Sequence, residues 1–238
     1  MKKILVTICA RGGSKGLPKK NILTLNKIPL IGYTIKLAKQ FASEFNADIA
    51  LSTDDSEIRM VAKNFGLDTK YIRPEILATD QTGKIDTIID LINHEEKIYN
   101  INYDFFLDLD VSSPLRNIND LRNAFSNFLH VSDSLNMFSV NSATKNPYFN
   151  MVEVNRDGFA ELVKKGNYLT RQSAPKVYDL NASFYLYRRS FFFPKLHSVI
   201  NSKSMIFEID HLCFDIDHPI DFEFMNFLLE NNKLDFNF

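Results

Sequence analysis

Arg11, Lys15, Lys19 and Lys20 place four cations within ten positions, interleaved with Gly12, Gly13 and Gly16, in the run Ala10-Arg11-Gly12-Gly13-Ser14-Lys15-Gly16-Leu17-Pro18-Lys19-Lys20-Asn21. Guanidinium and ammonium groups match phosphate oxygens, the first as a two-pronged fork and the second as a point charge. Glycine lets the backbone turn tightly and approach a ligand. Successive backbone N–H groups in such a loop form a concave anion nest. Residues Ile4 to Cys9 ahead of it read as a short buried strand. A strand feeding a basic, glycine-rich loop is a candidate triphosphate cradle, with Arg11 and Lys20 as its leading phosphate contacts. A solvated basic turn is the alternative. The spacing fits neither G-x-x-x-x-G-K-[ST] nor G-x-G-x-x-G: Leu17 and Pro18 stand where the first needs a glycine, and Gly12 and Gly13 are adjacent.

A second candidate lies near the end of the chain. In Asp215-Ile216-Asp217, strand alternation puts both carboxylates on one side, where oxygen ligands suit Mg²⁺ with most of its waters retained. The alternative is a pair of exposed acids, or a helix cap before Pro219. Asp108-Leu109-Asp110 repeats the D-x-D spacing. The five histidines show no zinc spacing. The two cysteines, Cys9 and Cys213, argue against a disulfide scaffold and fit a reducing cytosol. Cys9 reads as a small core residue.

These residues need elements to hold them. Helical apolar spacing predicts helices over Leu30–Phe45, Ser56–Phe65, Ile85–Ile98, Ile118–Leu129 (capped by Asn117) and Pro219–Leu229. Strands are predicted over Ile4–Cys9, Asp48–Leu51, Asp104–Leu109, Leu135–Val140 and Asn181–Tyr187, with a short one closing at Tyr71-Ile72. This alternation argues a three-layer α/β domain with a mainly parallel sheet, in which ligands bind at the carboxyl ends of the strands. Ala10, Thr53-Asp54 and Val111-Ser112 all fall on that edge. Between Ser142 and Pro175 the rhythm changes, and Met151–Val154 and Phe159–Val163 read as a hairpin around Arg156-Asp157-Gly158.

With 238 residues the chain reads most simply as one domain, with an arm at about 142–178. The net charge of −1 gives no global field for nucleic acid or an anionic membrane. No run of about 18 apolar residues suggests a membrane span, and no signal-peptide core precedes the first strand, so a cytoplasmic protein is expected.

Taken in order, these segments resemble the CMP-sugar synthetases that activate sialic acids and related nine-carbon keto-sugar acids. The carriers are R-G-G-S-K-G-x-P-x-K-N from Arg11 to Asn21, Leu51-Ser52-Thr53-Asp54-Asp55, and Arg73-Pro74 through Leu77-Ala78-Thr79-Asp80. Ser112-Ser113-Pro114-Leu115-Arg116, Asn181-Ala182-Ser183-Phe184-Tyr185 and Phe214-Asp215-Ile216-Asp217 with Asp221 complete the set. Asp108-Leu109-Asp110, Asn146-Pro147-Tyr148-Phe149-Asn150 and Arg171-Gln172-Ser173-Ala174-Pro175-Lys176 look most like the bacterial CMP-N,N′-diacetyllegionaminic acid synthetases. Asp110 stands where the sialic-acid branch carries a glutamine associated with the sugar.

The resemblance implies a Rossmann-like nucleotidyltransferase fold and a cytidylyltransferase reaction. CTP and the free sugar acid would give a CMP-sugar and pyrophosphate, with Mg²⁺ on Asp215 and Asp217. It implies nucleotide contacts from Ala10, Arg11, Gly12, Gly13, Ser14, Lys20 and Asn21, and cytosine contacts near Arg73 and Ala78, with Lys84 beside them. Arg11, Lys20 and Asp217 would carry the catalysis. Acceptor contacts are expected from Asp110, Arg116, Arg171, Gln172 and Asn181, with Arg171 acting in its own site or across a homodimer formed by the arm. Either aspartate, or a metal-bound hydroxide, would deprotonate the sugar hydroxyl. A CMP-N-acetylneuraminic acid synthetase, a D-x-D glycosyltransferase and a non-catalytic CTP-binding subunit are the alternatives.

Overall fold

A computed structural model describes residues 2–236. The chain opens with β1 (Ile4–Cys9) and the basic loop. A single 3-10 turn at Lys20–Ile22 and a small hairpin of β2 (Thr24–Leu25) and β3 (Ile28–Pro29) then lead to α1 (Leu30–Phe45). β4 (Asp48–Ser52), α2 (Ser56–Asn64), α3 (Lys84–Tyr99), β5 (Phe105–Leu109), α4 (Ile118–His130) and β6 (Asn136–Ser142) follow. The hairpin of β7 (Val152–Val154) and β8 (Ala160–Leu162) interrupts the rhythm. The chain closes with β9 (Tyr178–Arg188), α5 (Arg189–Phe192), β10 (Ser204–Glu208) and α6 (Pro219–Glu230).

The main sheet runs β10-β6-β9-β5-β1-β4. Only β9 runs against its neighbours; the β1–β4, β1–β5 and β6–β10 pairs are parallel. Period-2 alternation divides each strand between two helical layers. Ile4, Val6 and Ile8 of β1 and Phe105, Leu107 and Leu109 of β5 pack with α1, α2, α4 and α6. Leu5 and Phe106 face the opposite layer, made by α3 and α5. The three-layer α/β arrangement is therefore as expected, and Asp108 lies on the α3 side of the sheet with Phe106.

Local chemistry sets the helix starts. Asn117 caps α4 by accepting from the N–H groups of Asn119 and Asp120, and Asp120 returns a bond to Asn117 N–H, a reciprocal capping box. Asp55 caps α2 in the same sense. Asp221 accepts from the N–H groups of Asp217 and His218, fixing the entry to α6.

Three expectations need correction. Tyr71-Ile72 is not a strand: the segment meets the sheet edge through one backbone bond, Arg73 N–H to Thr53 O, and Pro74 follows with no N–H to give. Asp215–Asp217 is a loop, although alternation survives in it: Ile216 is buried and donates its N–H to Ser112 O, while Asp215 is half-buried and Asp217 exposed. The strand begun at Asn181 starts at Tyr178 and bends. Its pairing with β6 shifts register between Phe138 and Val140, and Ala182 takes a left-handed φ of 52°.

Candidate active site

The basic loop over β1, the segments after β4 and β5, the start of α3 and the 215–217 loop enclose one cavity of about 400 Å³ at the carboxyl edge of the sheet. Gly16 shows why the loop runs where it does. A Cβ there would lie 2.3 Å from the backbone oxygen of Asp217, so only glycine allows the loop to close on the acidic segment. Lys20 Nζ spans the same contact and donates to Asp217 Oδ1 at 2.9 Å. Asn21, buried, donates to the carbonyl of Arg11 at 2.9 Å, and Gly12 N–H donates to Asp54 Oδ1 at 3.0 Å.

Every cation of the loop faces a carboxylate. Arg11 lies 2.8 Å from Asp80, Lys15 contacts the other oxygen of Asp80, and Lys19 pairs with Glu57. The Lys15 and Arg11 contacts hold the Asp80 carboxyl below its ordinary range. Asp80 closes the L-A-T-D motif, yet sequence reasoning gave it no role.

Arg73 is buried and anchored on β4, its Nε donating to Ser52 Oγ at 2.9 Å and its Nη2 to Ser52 O at 2.8 Å. Arg73 also lines the cavity. Ala78 ends the 3-10 turn at Glu75–Leu77, and its neighbours Leu77 and Thr79 form the wall.

At the start of α3, Lys84 Nζ sits 2.7 Å from Asp108 Oδ2 and 2.8 Å from Asp110 Oδ2. Asp108 is fully buried, its Oδ1 accepting from Thr7 Oγ1 at 2.8 Å. Asp110 Oδ1 accepts from the N–H and hydroxyl of Ser112 at 2.9 and 2.7 Å. Burial alone would neutralise these groups. For Asp110 the Lys84 charge outweighs burial and holds the carboxyl well below its usual range; for Lys84 the two carboxylates outweigh burial and hold the ammonium well above its own. The same burial, with Asp108 beside it, pushes the Cys9 thiol up to about 12, so it is not a nucleophile at neutral pH.

Asp217 faces the cavity. Asp215 is more enclosed, and burial raises its carboxyl above the ordinary value, with Asp110 and Asp217 adding to the rise. Its Oδ1 is buried and has no hydrogen-bond partner among the described residues. An orphaned carboxylate oxygen beside a second carboxylate is a donor set that fits Mg²⁺, which takes one or two carboxylates and fills its octahedron with phosphate and water oxygens. No group of three or more metal-ligating side chains occurs among the described residues.

Thus Arg11, Ser14, Lys20, Asn21, Arg73 and Asp217 share the cavity with Lys84 and Asp110. Ala10, Gly12 and Gly13 belong to the loop at its rim. Arg116 lies outside it: almost fully buried, it donates to the carbonyls of Ser113, Ser183 and Asp110 and to Thr34 Oγ1, strutting the loop after β5. Asn181 is likewise buried, bonded to Asn141, Ser139 and Ser183. Arg171 donates to Ala143 O at 2.7 Å, and Gln172 beside it is exposed; neither reaches this cavity.

A cradle of cations on the first strand–loop junction, facing a pair of acids at the edge of a three-layer sheet, defines a nucleotidyltransferase. A family model described as Cytidylyltransferase matches residues 5–234, and the chain belongs to that family: it is a CTP-dependent nucleotidyltransferase. It is 39% identical over 235 residues to the post-translational flagellin modification protein B of Campylobacter coli, covering 98% of each chain. It is 38% identical over 235 residues to the CMP-N,N′-diacetyllegionaminic acid synthase of Campylobacter jejuni, again over 98% of each. A solved CMP:2-keto-3-deoxy-manno-octonic acid synthetase in complex with CTP shares the fold, with a TM-score of 0.71 and 18% identity, over 97% of this chain and 100% of that one. No helix among the described residues is long and apolar enough to cross a membrane.

Proposed function

We propose that this cytidylyltransferase joins CTP to a nine-carbon sugar acid of the N,N′-diacetyllegionaminic type, releasing pyrophosphate. The observation that carries the reading is the convergence of Arg11, Lys20 and Asp217 on one cavity, in a chain similar along nearly its whole length to a synthase of that product. The anomeric hydroxyl forms a bond to the α-phosphorus, the α–β bridging P–O bond breaks, pyrophosphate carries the electron pair away, and the hydroxyl proton is released.

Arg11 and Lys20 bind the triphosphate, exchanging Asp80 and Asp217 for phosphate oxygens. Arg73, on the cavity wall, offers a guanidinium donor to the pyrimidine. Asp215 and Asp217 would hold Mg²⁺, which when bound supplies Lewis-acid neutralisation of phosphate charge. Catalysis here is mainly orientation and fixed charge.

The arm hairpin exposes Val152, Val154 and Phe159, and Leu169 beyond it is 94% exposed. An apolar rib of this kind supports a homodimer in which the arm covers a second copy and carries Arg171 and Gln172 toward the partner's cavity. Sedimentation of the purified chain tests that contact.

The reaction is tested by pyrophosphate release with CTP and Mg²⁺, comparing N,N′-diacetyllegionaminic acid with N-acetylneuraminic acid and identifying the product by mass. Preference for the first supports the reading. Preference for the second keeps the reaction and replaces the sugar.

A further inference from the structure

The Lys84–Asp108–Asp110 cluster is the part of the cavity whose chemistry the reaction above leaves unused. Asp110 suggests a carboxylate that accepts hydrogen bonds from a ligand. The geometry reverses that polarity. One oxygen of Asp110 is taken by Ser112 and the other by Lys84. Asp108 is sealed beneath them. An ammonium has three donors; here two carboxylates engage it and the Tyr185 ring lies 4.9 Å from Nζ. Lys84 itself lines the cavity, with a third of its side chain exposed (33%). What a ligand meets from the cavity is therefore this ammonium, held in place by Asp108, Asp110 and the Tyr185 ring.

The place of this donor in the sheet says what it meets. Along the order β9-β5-β1-β4, Arg73 is anchored on β4 and the cation loop rises from β1, while the aspartates stand on and just after β5. An in-line displacement brings the acceptor to the α-phosphorus on the side opposite the departing pyrophosphate. With base and phosphates over β4 and β1, the acceptor enters over β5. The loop carrying Asp110 is joined to the acidic segment on that side by Ile216 N–H donating to Ser112 O at 2.8 Å.

Charge then narrows the group that docks. Asp108, Asp110, Asp215 and Asp217 stand against three cations, Lys84, the buried Arg116 behind the Asp110 loop and Lys20 on Asp217, which leaves a formal −1. Such a cluster repels a phosphate or the carboxylate of the sugar acid. It accepts a neutral oxygen. We propose that Lys84, held by Asp108 and Asp110 as positioning residues, is the specificity contact for a neutral oxygen of the acceptor, an acyl carbonyl or a hydroxyl, and not a nucleotide ligand. This rests on the sugar-acid reading above and names the donor that would recognise that acceptor.

The test separates the two substrates. Lys84→Gln removes the charge but leaves Asp108 buried beside a neutral partner. The double variant Lys84→Met with Asp108→Asn removes both charges and keeps a folded comparison available. Steady-state kinetics give the KM for the sugar acid, and calorimetry gives the Kd for CTP. The expected result is a rise of about ten-fold or more in sugar KM, with CTP affinity changed less than about three-fold. A purely structural role would not divide the two constants in this way. Weakened CTP binding with an unchanged sugar KM, or equal loss of both, overturns the proposal while the sugar-acid reading stands. A wild-type enzyme that binds CTP but releases no pyrophosphate with either acylated sugar acid overturns both.

Discussion

Asp108-Leu109-Asp110 and Asp215-Ile216-Asp217 have the same spacing and approach the same cavity from different elements. The first pair straddles the end of β5, deep under α3, and both carboxylates close on Lys84. The second lies on a loop, with Asp217 turned to the cavity and Asp215 Oδ1 buried without a partner among the described residues. A D-x-D spacing places two carboxylates on one side of an extended chain, and it says nothing about the counter-charge. Where a helix start supplies a lysine, the pair becomes a clamp. Where the lysine comes from the phosphate loop and engages one oxygen of Asp217 alone, the pair keeps carboxylate oxygens open, a site of the kind a divalent cation fills.

The largest expected effect comes from the open pair. Asp217→Ala should lower Mg²⁺-dependent pyrophosphate release by about 10²-fold or more and leave the unfolding midpoint nearly unchanged, since Asp217 is exposed. Near-normal turnover by the folded variant would remove it from the chemistry. Gly16→Ala reaches the same segment through the backbone. Its methyl group would press on Asp217 O and part the loop from the acids, for an expected loss of about ten- to a hundred-fold in kcat/KM. Gly13→Ala, where a Cβ meets no protein atom within 4 Å, is the stability control and should keep the wild-type unfolding midpoint.

The closed pair should answer in stability. Asp108→Ala leaves Lys84 with Asp110 as its one remaining carboxylate in the clamp and empties a sealed position, at a cost of about 3 kcal/mol in urea unfolding. The pH dependence identifies the cause. Asp110 is held below its unfolded pKa, so its contribution is fully present above the ordinary carboxylate range and is lost as pH falls through the lower folded value. Lys84 is held above its unfolded value, so its contribution is complete below the ordinary lysine range and fades only above it. The stability gap between wild type and Asp110→Asn should therefore stay flat across neutral pH and narrow in acid below about pH 4. A gap that narrows near neutrality would show that another group is titrating.

The same contrast explains what could be read from residue order. Local signals were legible: the apolar period of α1, the Asn117 cap and the alternation that splits β1 and β5 between two layers. The phosphate loop was legible because its cations and glycines are contiguous. The pairing of Lys84 with Asp108 was not, because they stand 24 positions apart with a whole helix between and only the closed fold brings them together. Arg116 looked like a ligand because nothing local shows that Ser113, Ser183 and Asp110 carbonyls would enclose it. β10 went unread because Ser204–Glu208 is a half-exposed edge strand whose partner, β6, lies far back in the chain.

The smallest effect concerns the backbone behind the clamp. Ala182 holds a φ of 52° where β9 bends, next to Ser183, whose carbonyl accepts the N–H of Asp110 at 3.1 Å. A left-handed residue with a Cβ costs about 1 kcal/mol, while glycine returns part of that gain as unfolded-chain entropy. Ala182→Gly should thus stabilise the protein by no more than about 0.5 kcal/mol, read as a small rise in urea midpoint with unchanged slope. Ala182→Val, with a branched side chain at the same φ, should destabilise it by more than glycine stabilises. If the bend positions the Asp110 loop, the valine variant should also raise the KM for the sugar acid while leaving CTP affinity alone, and the open pair at Asp215 and Asp217 should not register the change.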